Sequence, residues 1–497
     1  MMKNIKKLLM LCFASVALYS CSESYLDVNT DPNNPTEVGP ELILPVAQVY
    51  TANNLFGNRS ANTLGNMLMY NWSQSDGFSW YYDEFEYQAD ATFYGGIFNQ
   101  AYGSTLKQYH ALTTLEGAEF ANYNAIGEIM KALQFQILVD AYGDIPYSEA
   151  LQRGENPTPK YDDAEAIYDD LIVKLTQAIA TINNAGASAL VPSADDTMFG
   201  GDMDNWKKFA NTIKLRILVR QSGMASKAAY IATEMNVITN EGSGFITSDV
   251  VNNPGYLNEE GKQSPFYADF GLTVSGETQN NGQATSASDF AVATLDGFND
   301  ARIDFIYALP VDPLGAPGEH VGVPQGILNY PSDNSLEPEH VSLLGPGILI
   351  DSTQDAPIFT LTEALFLQSE AAFKSILVGN AQALYEAGVT ASFERLGATG
   401  AATYLTQGIP NTGWNASTDK LEAIITQKWI ALNGINGFES WIEYNRTGFP
   451  ANLPVSMLAT TADRPVRLAY PNSEISSNSG NLPSQPNVFT DKIFWAN

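Results

Sequence analysis

Aromatic side chains crowd one stretch of this sequence: Tyr70, Trp72, Phe78, Trp80, Tyr81, Tyr82, Phe85, Tyr87, Phe93, Tyr94 and Phe98 all fall within residues 70–98. Asn71, Gln74, Asp76, Asp83 and Gln88 are interleaved with them. Indole and phenol rings offer flat apolar faces, and the amides and carboxylates between them offer hydrogen bonds. An aromatic platform with a few placed polar groups is the usual make-up of a small-ligand surface. Sugar rings match it, because they present C–H faces that stack on such rings and hydroxyls that need amides and carboxylates nearby. From Ser73 to Asp83 the spacing fits neither a helix nor a strand, and Gly77 points to a loop. Asn71, Trp72, Trp80, Tyr81 and Tyr82 are therefore the expected ligand contacts. The competing reading puts these rings in the core or against a partner protein, where Trp and Tyr are also favoured. Phe85, Phe93 and Phe98 are expected in the core. Tyr256, Phe266, Tyr267, Gln279, Asn280 and Asn281 form a second set of candidates.

No group of residues points to catalysis. A glycoside hydrolase needs two carboxylates facing each other across a cleft, but with 55 acidic residues such pairs are trivially available. Glu363 and Glu370 are seven apart on one helix and read as solvated or scaffold-pairing positions. No Gly-x-Ser-x-Gly elbow and no phosphate-binding glycine loop occurs. The three histidines are scattered; His320 and His340 each follow a glutamate, but in Pro/Gly-rich loops, so neither a catalytic zinc nor any other metal centre is expected. The Asp/Asn alternation from Asp27 fails as a calcium loop, with Pro32 at the sixth place and Val38 at the twelfth. No cofactor is expected.

The chemistry at the N-terminus is of another kind. Lys3, Lys6 and Lys7 precede an apolar run from Leu8 to Tyr19, too short to span a bilayer and fitting a secretory signal over residues 1–20. It ends at Leu18-Tyr19-Ser20-Cys21, which reads as a lipobox with Cys21 as the lipidated residue, although Tyr19 is unusual there. The only other cysteine, Cys12, lies inside the leader. The mature chain would hold a single thiol at its first position and no disulfide. Glu23 and Asp27 follow closely, as in lipoproteins exported to the cell surface.

Composition narrows the partners. The formal net charge is −30; without the leader it becomes −33, with 22 basic against 55 acidic residues. Such a surface repels phosphate backbones and anionic lipid headgroups, so nucleic acid is not an expected partner. No apolar run long enough to cross a membrane follows the leader, which leaves the lipid as the expected membrane attachment.

The elements that must position the aromatic stretch are mostly helical. Leu42, Val46 and Val49 begin one helical period. Ile126, Ile129, Leu133, Ile137 and Leu138 mark a long helix that breaks at Gly143-Asp144-Ile145-Pro146. Tyr168, Leu171, Leu175 and Ile179 mark another, and Trp206, Phe209, Ala210, Ile213 and Ile217 a third. Ala364–Phe373 and Ala381–Leu396 form a helical pair with small residues, including Gly388 and Ala391, where the two would cross. That unit length fits a tetratricopeptide-like repeat, which stacks into a superhelix. Between about residues 242 and 357 Gly, Pro, Asn and Ser crowd the chain, and a loop-rich insertion is expected within a single domain spanning 21–497.

Four segments carry a family resemblance: Asp140–Tyr147; Gly200-Gly201-Asp202 through Trp206 to Arg216; Glu363–Ala371; and Ile424–Trp429 with Phe438–Trp441 and Tyr444–Gly448. In this order, behind a lipobox, the chain resembles the SusD/RagB family of nutrient-binding lipoproteins. The resemblance implies a mostly helical fold with four tetratricopeptide-like units and an irregular ligand-facing half. It implies an outer-membrane location and a partner, a SusC-like TonB-dependent barrel on which the lipoprotein sits as a lid. Glycan is the best-known substrate class of the family and some members bind peptides, so the ligand is an oligosaccharide or a peptide. Trp206, Trp441 and Tyr444 are expected at helix crossings. Arg216, Arg446 and Arg467 are expected to pair with carboxylates such as Glu439 or Glu474.

Overall fold

A computed structural model describes residues 38–313, 316–327 and 336–496. The leader, Cys21 and the tether that follows it lie outside the described residues.

Helices α1 (Pro40–Phe56) and α2 (Ala61–Leu68) lead into strand β1 (Trp72–Gln74), a loop, and the short α3 (Tyr82–Glu86). Next come α4 (Leu106–Thr113) and the long α5 (Ala121–Tyr142), which ends at Gly143 as the sequence predicts. The β2–β3 ribbon (Ile145–Pro146 with Tyr161–Asp162) connects α5 to α6 (Ala164–Asn183). Helices α7 (Met203–Arg220) and α8 (Ala228–Glu241) follow. From there to residue 355 the elements are short: β4 (Val250–Asn252), α9 (Pro265–Phe270), β5 (Thr285–Ala287) and α10 (Asp289–Gly297) are the main ones. Strand β6 (Ala356–Phe359) pairs with β4, and the chain returns to helices α11 (Leu361–Phe373), α12 (Ala381–Leu396), α13 (Lys420–Leu432) and α14 (Gly437–Thr447). The fold is mostly α, as expected.

Local chemistry sets the helix ends. Asp163, Asp202, Thr360, Asn380, Asp419 and Asn436 each cap an N-terminus with a side-chain oxygen that accepts backbone N–H groups. Helices adjacent in sequence pack on one another: α4 on α5, α5 on α6, α6 on α7, α11 on α12, and α13 on α14. α7 meets α11 and joins the two stacks, while α14 meets α2. Two crossings need glycine. A Cβ on Gly65 would fall 1.9 Å from the Gly437 carbonyl carbon, so α2 and α14 touch backbone to backbone. A Cβ on Gly388 would stand 2.9 Å from the Phe366 ring, which fits the small-residue crossing expected between α11 and α12.

The expected stripes on α5, α6 and α7 are buried, but that on α1 is not. Leu42 and Val46 are exposed, and the buried face is Ile43, Leu44, Ala47, Gln48 and Thr51. The sequence period was right and its phase wrong, because α1 contributes polar Gln48 and Thr51 inward: Gln48 donates to Asp196 at 2.7 Å and Thr51 meets the Tyr109 hydroxyl at 2.9 Å.

Charge is buried where the helix stacks meet. Arg220 on α7 donates to Glu443 at 2.7 Å, Glu439 at 2.6 Å and Asp140 at 3.3 Å. Lys428 joins Glu439 at 2.7 Å and Glu443 at 3.2 Å. Arg446 grips Glu370 with two bonds of 2.7 Å and also reaches Glu443. Arg216 pairs with Glu363 at 3.1 Å. Glu363 and Glu370 are therefore scaffold-pairing residues, and neither is solvated. Arg467 departs from the expectation: its guanidinium serves the Tyr142 carbonyl and the Tyr470 hydroxyl, while Glu474 accepts from Tyr161 at 2.8 Å. Trp206 and Trp441 fill crossings with no exposed surface; Tyr444 is only half-buried, under the Arg464 guanidinium.

Candidate functional site

The aromatic stretch splits into a buried foundation and an exposed rim. β1 pairs antiparallel with β5, placing Trp72 opposite Ala287 and Gln74 opposite Thr285. Trp72 has no exposed surface; its indole lies against Phe266 and Phe270 of α9, with centroids 6.4 and 5.5 Å away. Asn71 is equally buried. Its amide donates to Asn66 at 2.9 Å and its carbonyl accepts from Tyr307 at 2.7 Å. Tyr81 is 6% exposed, and its hydroxyl meets Thr285 at 2.7 Å. Asn71, Trp72 and Tyr81, expected as ligand contacts, are thus buried and joined to the segment after residue 242, and none presents an exposed face in this conformation. Of the second set, Tyr256 and Phe266 are buried, Tyr267, Gln279 and Asn281 are half-buried, and Asn280 is exposed.

Trp80 and Tyr82 are different, at 38% and 37% exposure. Phe78 stands beside Trp80 edge to face, with centroids 5.4 Å apart at 74°. What fixes the loop that carries Phe78 and Trp80 is Gln74. Its side-chain nitrogen donates to the Phe78 carbonyl at 2.6 Å, and its oxygen accepts from the backbone N–H of Trp80 at 2.8 Å and of Tyr81 at 3.1 Å. One buried amide thus satisfies three backbone groups of a loop that has no ladder of its own. Gly77, at φ 87°, makes the turn, and Asp76 ties the loop across to residue 336, donating its N–H to the Leu336 carbonyl at 2.7 Å. Loop 75–81 therefore sits where the insertion returns beside β5.

The base beneath is also fixed by neutral groups. Gln325 donates to the Met67 carbonyl at 2.8 Å and the Trp72 carbonyl at 2.6 Å. Tyr70, Tyr87 and Tyr94 have left-handed backbones, costly for aromatic residues. Each is held by its own hydroxyl: Tyr70 accepts from Gln325 N–H, Tyr87 from Ser456 N–H, and Tyr94 donates to Glu84 at 2.8 Å. Burial raises the Glu84 carboxyl above its ordinary value even with Arg59 3.3 Å away. Asp269, on α9 near Tyr81, is pushed up to about 6 by burial alone, and its Oδ2 is buried without a partner.

The arrangement offers the exposed Trp80 and Tyr82 rings as apolar faces on which a flat ligand face can stack, with polar groups beside them for hydrogen bonds. It contains no nucleophile–base pair. Sequence reasoning noted Gln74 only as one interleaved amide; the role of Gln74 as a clamp follows from tertiary register, because nothing in residue type shows that its partners lie four to seven residues on. Gln325, some 250 residues away, carried no signal.

Helical stacks carrying a loop platform define a class of repeat-scaffold binding protein, and sequence comparison gives the family. Residues 32–471 match the SusD-like family described as starch-binding and associating with the outer membrane, and the chain belongs to that family. Among solved structures, a chitin-binding SusD homolog from Flavobacterium johnsoniae is similar at TM-score 0.76 and 21% identity, over 91% of this chain and 98% of that one. A SusD homolog from Bacteroides uniformis aligns at TM-score 0.73 and 23% identity, covering 92% and 99%. A protein described as chitin-binding aligns at TM-score 0.71 and 23% identity, covering 92% and 100%. At these identities the likeness shows the fold alone. No match is found among curated proteins. Among the described residues no helix is long and apolar enough to cross a membrane.

Proposed function

We propose that this chain is a cell-surface lipoprotein, acylated at Cys21, that holds an oligosaccharide on the Phe78–Trp80–Tyr82 platform and passes it, uncleaved, to a SusC-like TonB-dependent barrel. The observation that carries the reading is the exposed Trp80 ring, edge to face with the half-buried Phe78, on a loop pinned by the buried Gln74 amide. Large rings left in water cost free energy that a purely structural loop would avoid. Family membership supports the ligand class, since its description names starch, and two similar structures are described as chitin-binding. The lipobox, the single mature cysteine and the family's outer-membrane association support the anchor. The transporter partner follows from the family resemblance.

The test is a binding screen of the chain from Ser22 onward against glycan and peptide libraries, with every mixture checked for products by chromatography. Saturable glycan binding, weakened by Trp80→Ala and unchanged in chain length of the ligand, is the expected result. Shortened glycans would make the protein an enzyme. Binding to peptides alone would replace the glycan reading with a peptide one.

A further inference from the structure

The insertion brings together three side chains that the sequence leaves unremarked as a group. One ligand atom from each of Glu337, Glu339 and His340 lies within 4.8 Å of the other two. The three occupy a single turn of 3-10 helix, Pro338–His340, with Glu337 at its N-cap. We infer that they form a binding site for a divalent transition-metal ion of the zinc class, a conclusion independent of what the platform binds.

The imidazole carries the argument. His340 Nδ1 lies 2.5 Å from the backbone carbonyl of Asp312. A carbonyl only accepts, so Nδ1 holds the proton, and in the neutral ring Nε2 is left with its lone pair. Nε2 points to the Glu337 carboxylate, whose Oε2 is 3.9 Å away. That is too long for a hydrogen bond and suits two ligands flanking an ion. The ring cannot easily turn, because the Asp312 N–H donates to the Glu339 carbonyl at 2.9 Å and clasps the two segments together. A ligating histidine whose other nitrogen donates to a backbone carbonyl is the usual outer arrangement of metal sites; it fixes the tautomer and the ring plane.

The donor set selects the ion. Calcium and magnesium prefer cages of oxygen, whereas one imidazole with two carboxylates suits zinc and its neighbours. Bonds of about 2.0–2.2 Å to a shared ion would bring the ligand atoms to roughly 3.5 Å from one another. Glu337 and Glu339 are exposed, so their side chains can close the remaining gap of about 1 Å. The acidic surface of the whole chain raises the local concentration of cations. Three protein ligands leave a coordination position open. The turn follows directly on residue 336, whose carbonyl accepts from Asp76 of the aromatic loop.

Isothermal titration with Zn2+ alone, in metal-free buffer and on the chain from Ser22 onward, tests the inference. One saturable site per chain is expected, with at least tenfold weaker binding in His340→Ala and in the Glu337→Gln/Glu339→Gln double variant. His320→Ala, which removes another insertion histidine, should bind as the parent does. Zn2+ should also raise the melting temperature of the parent and leave that of His340→Ala unchanged, which separates a lost site from a misfolded chain. Absence of a saturable site, unchanged affinity in His340→Ala, or displacement of the ion by equimolar Ca2+ would each overturn the proposal. Glycan binding can fail with zinc binding intact, and the reverse, so the two readings stand or fall separately.

Discussion

Where the helix stacks meet, the buried polar groups are ions: Arg216, Arg220, Lys428 and Arg446 face Asp140, Glu363, Glu370, Glu439 and Glu443 with little or no exposed surface. Beneath the platform they are amides and hydroxyls: Asn66, Asn71, Gln74, Gln325, Tyr307 and Asn433. A buried ion is tolerated only with its counter-ion in contact, so the first network locks one arrangement of five helices and punishes any loss of a partner. Neutral amides can satisfy both N–H and C=O groups of an irregular backbone, which is what short strands and loops require. The difference shows how one chain locks its helix stacks through a network of buried ions and orders the short strands and loops beneath the rim mainly through neutral groups, with Arg59–Glu84 and Arg302–Asp300 as separate ion pairs.

The comparison is broken most severely by Arg220→Met. Glu439, Glu443 and Asp140 would lose a shared cation, and a loss of about 3–5 kcal/mol is expected in urea unfolding, with glycan affinity preserved in whatever remains folded. Gly65→Ala comes next: a methyl group at a backbone-to-backbone crossing should cost about 2–3 kcal/mol by the same measurement. Trp80→Ala acts on the other region alone. It should weaken ligand binding by about 2 kcal/mol, roughly thirtyfold, in titration calorimetry, while the melting temperature stays put. Trp72→Ala should do the reverse and lower stability first, since its ring is core.

The smallest effect depends on pH. Asp269 has its folded pKa raised to about 6 by burial with no partner for Oδ2. A carboxyl raised in this way binds its proton more tightly when folded, so its cost is absent well below the ordinary value near 4, grows as pH rises, and is complete above about 6. Asp269→Asn should therefore stabilise by about 1–2 kcal/mol at pH 8 and by roughly half as much at pH 5. Glu370, Glu439 and Glu443 work in the opposite sense. Their folded pKa values are held down by Arg446, Arg220 and Lys428, so their contribution is present above the ordinary carboxylate value and is lost as pH falls through the depressed ones. Melting curves of the parent and Asp269→Asn between pH 4 and 8 separate the two.

Much of the scaffold was legible. The periods of α5, α6 and α7 name buried faces because nearly every apolar side chain on them is inside. α1 shows the limit: its stripe of Leu42 and Val46 is as regular as any, yet it faces out, because Gln48 and Thr51 have partners on distant elements that residue type cannot reveal. The site was legible as a region and not as residues. Trp72 and Trp80 are alike in the sequence and opposite in the structure. One is paired in β1 against β5 and covered by α9; the other hangs on the loop that Gln74 closes.

By itself the sequence determined the helical periods, the crossing glycine at 388, the acidic surface and the aromatic stretch, and carried the leader and lipobox reading, because each depends on neighbours within a turn or two or on composition. Tertiary structure alone decided which rings remain in water, which carboxylate answers which guanidinium, and that the His340 imidazole beside Glu337 and Glu339 is held by the Asp312 carbonyl. Those outcomes rest largely on contacts between residues tens to hundreds of positions apart, where burial and partner geometry, and not residue type, set the free energy of each side chain.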